Sequence, residues 1–119
     1  MFSENLHKGS TAFAVALSYY VHLNYAVSIP IQEARYDLIY DDGESLNRVQ
    51  VKFTSSLLKS GAYIVDLRTT LRKSYSVKEV DYIFVVTESN EGYILPSSVF
   101  ANNQTVNLSN HPRCKVLLP

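Results

Sequence analysis

Residues 36–54 read YDLIYDDGESLNRVQVKFT, two alternating runs hinged on Asp42-Gly43. Side chains alternate across a strand, and an Asp-Gly step suits a tight reversal, so the segment is expected to form a β-hairpin with strands over 36–41 and 46–54. Val49, Val51 and Phe53 then face one way, while Arg48, Gln50, Lys52 and Thr54 face the other. A turn of two or four residues sets Asp37 opposite Arg48 or Gln50, and both registers bring its carboxylate onto the Gln50/Lys52 face. An odd shift would turn the Val49/Val51/Phe53 stripe away from Tyr36, Leu38 and Tyr40. The apolar pattern therefore argues for a polar cluster of Asp37, Gln50 and Lys52.

A carboxylate and an amide oxygen are hard ligands suited to magnesium or manganese, and the backbone carbonyl of Val51 can add a third oxygen. Waters and a phosphate oxygen would complete the coordination. Lys52, two residues beyond Gln50, is placed to steer an attacking water or to neutralise charge building on a phosphate. In outline this is phosphodiester hydrolysis. The plainer alternative is an exposed sheet face with a simple Asp-Lys pair, which contributes little.

The rest of the chain suggests how this hairpin is held. Leu6, Phe13, Leu17, Tyr20, Val21 and Leu23 fall near helical spacing over residues 3–24, with Ser3 as N-cap and Gly9 as a kink or a break. Further strands are expected over 25–30, 61–70, 82–87 and 93–95, with a helical turn over 96–100 and an edge strand over 105–108. Together these describe an α+β fold, a leading helix packed on a mixed, mostly antiparallel sheet. At 119 residues the chain fits a single domain, residues 1–119. Hydrophobic residues at 46% and charged residues at 18% place it among globular proteins and away from disordered chains.

Several function classes drop out on composition. No apolar run approaches the ~20 residues of a membrane span, and Met1-Phe2-Ser3-Glu4-Asn5 lacks the basic and apolar regions of a signal peptide, so a cytoplasmic location is expected. Cys114 is the single cysteine, which rules out an internal disulfide and a thiolate zinc cluster. The formal charge is zero, so any anion-binding surface must come from local distribution.

The ordered motifs Lys8-Gly9, Val27-Ser28-Ile29-Pro30, Tyr36-Asp37-Leu38-Ile39 and Val49-Gln50-Val51-Lys52 resemble the PD-(D/E)XK nuclease superfamily, with Gln50 in place of the usual acid. Val80-Asp81-Tyr82 and Gly92-Tyr93-Ile94-Leu95-Pro96 are similar to the later strands, so the likeness spans about residues 8 to 100. It is nearest to the branch of small group I intron homing endonucleases. The resemblance implies a restriction-endonuclease-like core and a metal-dependent DNA endonuclease using Mg²⁺ or Mn²⁺. Asp37, Gln50 and Val51 would be the metal ligands, and Asp37, Gln50 and Lys52 the catalytic set. Relatives carry a helix Glu where this chain has Phe13, and Glu4 and Glu33 are the nearby acids.

Double-stranded DNA is the expected partner. Lys59, Arg68, Arg72 and Lys73 lie in a segment over 59–78 whose single acid is Asp66, and Lys8, Arg35 and Arg48 extend it as a path for a phosphate backbone. Cutting two strands with one site per chain calls for a homodimer or homotetramer, which the resemblance also implies. A Holliday-junction-resolving nuclease and a catalytically inactive DNA-binding or assembly module are the alternatives.

Overall fold

The computed structural model describes residues 4–68 and 74–119. Ser3, expected as N-cap, and Arg72 and Lys73 lie outside the described residues. The chain runs through α1 (Glu4–His22), β1 (Ala26–Ser28), β2 (Leu38–Asp41), β3 (Leu46–Thr54), β4 (Ile64–Asp66), β5 (Tyr82–Thr87), β6 (Gly92–Pro96), α2 (Ser97–Phe100), β7 (Thr105–Asn107) and β8 (Lys115–Val116).

The expected hairpin forms with residues 42–45 as its turn, and Gly43 takes a φ of 93°, where a glycine avoids the Cβ clash. The Asp42 carboxylate accepts the N–H groups of Glu44 and Ser45 at 2.9 and 3.0 Å, which fastens the reversal. Helix α1 passes through Gly9 without a break and stops near Asn24, whose φ of 64° turns the chain into β1. Its buried stripe is Ala12, Ala16 and Tyr20, and Val21 and Leu23 are exposed. Of the expected stripe Tyr20 lies on this face and Phe13 packs partly buried against the same cluster, whereas the two alanines were not expected. Two alanines at i and i+4 let the helix approach the sheet closely, and Tyr20 closes the far end by stacking on Tyr40 at 4.4 Å between ring centres.

The main sheet has the order β1-β2-β3-β5-β6-β8. β3 pairs parallel with β5, and its other pairings are antiparallel, so the sheet is mixed and mostly antiparallel, as expected. The central strand β5 is aromatic or aliphatic from Tyr82 to Val86, as suits a strand covered on both faces. Phe84 and Val86 face α1, and Ile83 and Val85 face the opposite layer, where Val65, Leu67, Phe100, Val106 and Leu108 pack.

That opposite layer was not expected as a separate unit. β4 and β7 pair with each other in a two-stranded sheet of their own. The expected edge strand over 105–108 therefore forms, shortened to β7, but on a second layer. Its apolar Val106 and Leu108 have more to cover above β5 and β6 than at a sheet margin. The margin is taken by β8, paired with β6.

Candidate active site

β3 carries the polar face, and two neighbours determine what reaches it. The observed register sets Leu38 opposite Val49, and Asp37 stands one residue before β2. The Asp37 N–H donates to the Val49 carbonyl at 2.8 Å, and the Val51 N–H donates to Asp37 Oδ2 at 2.8 Å. Asp37 thus caps the first backbone amide of β3 that β2 no longer covers. Burial raises the Asp37 carboxyl above the ordinary range, and the Val51 N–H and the Lys52 charge oppose that rise.

Gln50 and Lys52 are half-buried and Thr54 is buried, so the plainer alternative of an exposed face does not hold. Ile64, Arg68 and Tyr75, from the connection between β3 and β5, reach Thr54 and Lys52. Thr54 Oγ1 donates to the Ile64 carbonyl, which ties β4 over the end of β3. The Gln50 amide lies 3.4 Å from the Val51 carbonyl. Lys52 Nζ donates to the Arg68 carbonyl at 3.1 Å and stands 5.1 Å from the centre of the Tyr75 ring.

Beside this cluster opens a cleft of about 420 Å³ lined by Lys8, Lys52, Thr54, Asp66 and Arg68 among others. Its wall is positively charged with one acid in it. Arg68 grips Asp66 through Nη2 at 2.7 Å and Nε at 3.0 Å, and this bidentate bond lowers the Asp66 carboxyl to about 2. Lys8 reaches the same cleft from α1, pairing with Glu4 at 3.3 Å and Glu88 at 3.8 Å.

The other basic residues are distributed differently. Lys59 is exposed in the reversal closed by the Leu57–Tyr63 bridge. Arg35 pairs with Glu79 at 3.3 Å. Arg48 is held by Asp81 at 3.0 and 3.2 Å and by the carbonyls of Val77 and Lys78, an arrangement that pulls the Asp81 carboxyl down, first through the guanidinium hydrogen bonds. Of the acids weighed for the helix position, Glu4 pairs with Lys8 and Glu33 is exposed after β1, while Phe13 packs partly buried against the α1 side of the sheet.

Asp37 Oδ1, the Gln50 amide oxygen and the Val51 carbonyl are the oxygen donors available to a divalent ion. Among the described residues no three His, Cys, Asp or Glu side chains group as a metal site, and Asp37 has no ion pair. The donor set still fits a hard cation: a half-buried carboxylate raised by desolvation gains its missing counter-charge from such an ion. Sequence reasoning missed Arg68 and Tyr75 as neighbours of Lys52. Their separation from it along the chain leaves no periodic signal.

Residues 4–114 match a family model described as PD-(D/E)XK endonuclease. Among solved structures the chain is similar to the bacterial homing endonuclease I-Ssp6803I, at 27% identity over 89% of this chain and 78% of that one, with a TM-score of 0.79. It is also similar in fold to Hjc, a Holliday junction resolvase from the archaeal hyperthermophile Archaeoglobus fulgidus, at 11% identity over 92% of this chain and 90% of that one, with a TM-score of 0.63. No curated protein matches the chain.

Proposed function

The chain belongs to the PD-(D/E)XK endonuclease family, and we propose that it is a metal-dependent DNA endonuclease of the homing type, working as a single domain. The observation that carries this reading is the half-buried Asp37 carboxylate on the Val51 N–H of β3, close enough to feel the Lys52 charge and without an ion pair among the described residues. The greater likeness to I-Ssp6803I, in identity and in superposition, favours the homing reading over a junction resolvase.

Asp37, the Gln50 amide oxygen and the Val51 carbonyl would hold Mg²⁺ or Mn²⁺. Such an ion supplies Lewis-acid polarisation of the phosphate and a more acidic water. Asp37 contributes the one formal negative charge, and its bond to the Val51 N–H keeps Oδ1 oriented. Lys52 offers its ammonium to the charge that gathers on the scissile phosphate as water oxygen adds to phosphorus and the sugar oxygen departs. Lys8 and Arg68 line the cleft as contacts for the phosphate backbone, and Lys59, Arg72 and Lys73 belong to the same sequence segment as Arg68. Arg35 and Arg48 are paired with Glu79 and Asp81, as Arg68 is with Asp66 and Lys8 with Glu4 and Glu88, so a phosphate would compete with a carboxylate at each of them. A homodimer or homotetramer would bring two sites to a duplex, and a cytoplasmic location suits a nuclease without a membrane-spanning helix among the described residues.

Nicking of supercoiled plasmid with Mg²⁺ or Mn²⁺ tests the proposal, comparing wild type with Asp37→Ala and Lys52→Ala. Cleavage by wild type, lost in both variants, is the expected result. Wild-type protein that binds duplex and junction DNA but cuts neither, even with a candidate target sequence, would replace the enzyme reading with a binding module.

A further inference from the structure

Lys52 sits in a holder that its own strand does not supply. On one side the Arg68 carbonyl accepts its Nζ proton at 3.1 Å, and on the other the Tyr75 ring stands at 5.1 Å. Arg68 and Ser74 form an isolated antiparallel bridge, which brings position 68 beside position 75. Asp66 restrains the same stretch by accepting the N–H of Arg68 at 2.9 Å as well as its guanidinium. Tyr75 is 7% exposed and packs with Val65, Leu67 and Val80, so its ring is anchored from behind.

We infer that Tyr75 is a positioning residue for Lys52, its ring and the Arg68 carbonyl fixing the ammonium before substrate arrives. This rests on the nuclease reading of Lys52. A free lysine stem samples many rotamers, whereas a cation held between a carbonyl and an aromatic face keeps one placement. The ring supplies that restraint through its face, so phenylalanine replaces tyrosine and leucine does not.

Two readouts separate this role from simple packing. In plasmid nicking, Tyr75→Leu lowers kcat roughly tenfold with KM changed less than about twofold, and Tyr75→Phe stays within about twofold of wild type. In NMR spectra taken without DNA or metal, the terminal methylene protons of Lys52 are displaced by the ring current relative to those of exposed Lys59 in wild type and Tyr75→Phe. They return toward the Lys59 position in Tyr75→Leu. Coincident Lys52 and Lys59 signals in wild type overturn the inference, as does a folded Tyr75→Leu protein with wild-type kcat. Equal loss in both variants also overturns it, by assigning the effect to the hydroxyl or to general destabilisation. If Tyr75→Leu does not fold, the displacement in wild type and Tyr75→Phe decides. A wild type that never cleaves defeats the nuclease reading, while the spectra still decide whether Tyr75 holds Lys52.

Discussion

Asp37 and Asp81 begin from the same arrangement on opposite edges of β3. Each stands one residue before a strand that flanks β3, and each accepts a β3 backbone N–H, Asp37 from Val51 at 2.8 Å and Asp81 from Arg48 at 2.7 Å. Their cations differ. Asp81 also receives the Arg48 guanidinium at 3.0 and 3.2 Å and is held below the ordinary carboxylate range. Asp37 has no ion pair among the described residues, and Lys52 on its face donates to the Arg68 carbonyl instead, so burial drives its carboxyl upward. The same backbone device is electrostatically closed at one edge and left open at the other. A closed pair braces the sheet, and an open one suits a cation from solution.

The largest test of this contrast is to make the same substitution at both edges. Asp37→Asn should lower plasmid nicking by roughly 10²- to 10³-fold, since it removes the only formal charge of the proposed ion site. The same variant should melt higher than wild type at neutral pH. With a raised folded pKa, the native state binds more protons than the unfolded chain, so wild-type stability falls as pH rises from the unfolded value through the folded one. Asn keeps an oxygen for the Val51 N–H and does not carry that penalty. Thermal melts from acid to neutral pH should show the two proteins converge below the window.

Ion binding should carry the same signature. A proton competes for Asp37, so Mg²⁺ or Mn²⁺ affinity measured by calorimetry should climb up to about tenfold per pH unit below the raised pKa and level off above it. Affinity that is flat across that window would break the link between Asp37 and the ion.

Asp81→Asn should move stability in the opposite direction, costing about 1 kcal/mol at neutral pH, a value kept small by the partial exposure of the pair. Because the Asp81 carboxyl is depressed, its contribution is present above the unfolded pKa and is lost as pH falls through the folded one. Urea melts at neutral and strongly acid pH check this. Gly43→Ala disturbs the contrast least and serves as a control: at φ 93° the added Cβ meets no atom within 4 Å, so the cost of about 1–2 kcal/mol comes through backbone conformation alone. It should leave the opposite signs at Asp37 and Asp81 intact.

The hairpin and its site were legible for a local reason. Alternation of side chains and the Asp42-Gly43 reversal leave few registers, and the one observed is that of the four-residue turn, with Asp41 opposite Leu46 and Leu38 opposite Val49. The buried stripe of α1 was legible in principle, in the i, i+4, i+8 spacing of Ala12, Ala16 and Tyr20, but larger apolar residues such as Val21 and Leu23 drew attention to positions that the fold leaves exposed.

By itself the sequence determined the α+β class and a hairpin with two admissible registers, because these follow from periodicity and a turn signal. Only the tertiary structure decided that β3 lies parallel to β5, that Asp81 neutralises Arg48, and that Arg68 and Tyr75 close over Lys52. Those contacts join residues far apart in the chain. Their formation depends on which apolar faces cover β5, on the second layer built by β4 and β7, and on the closure of the long connection between β3 and β5.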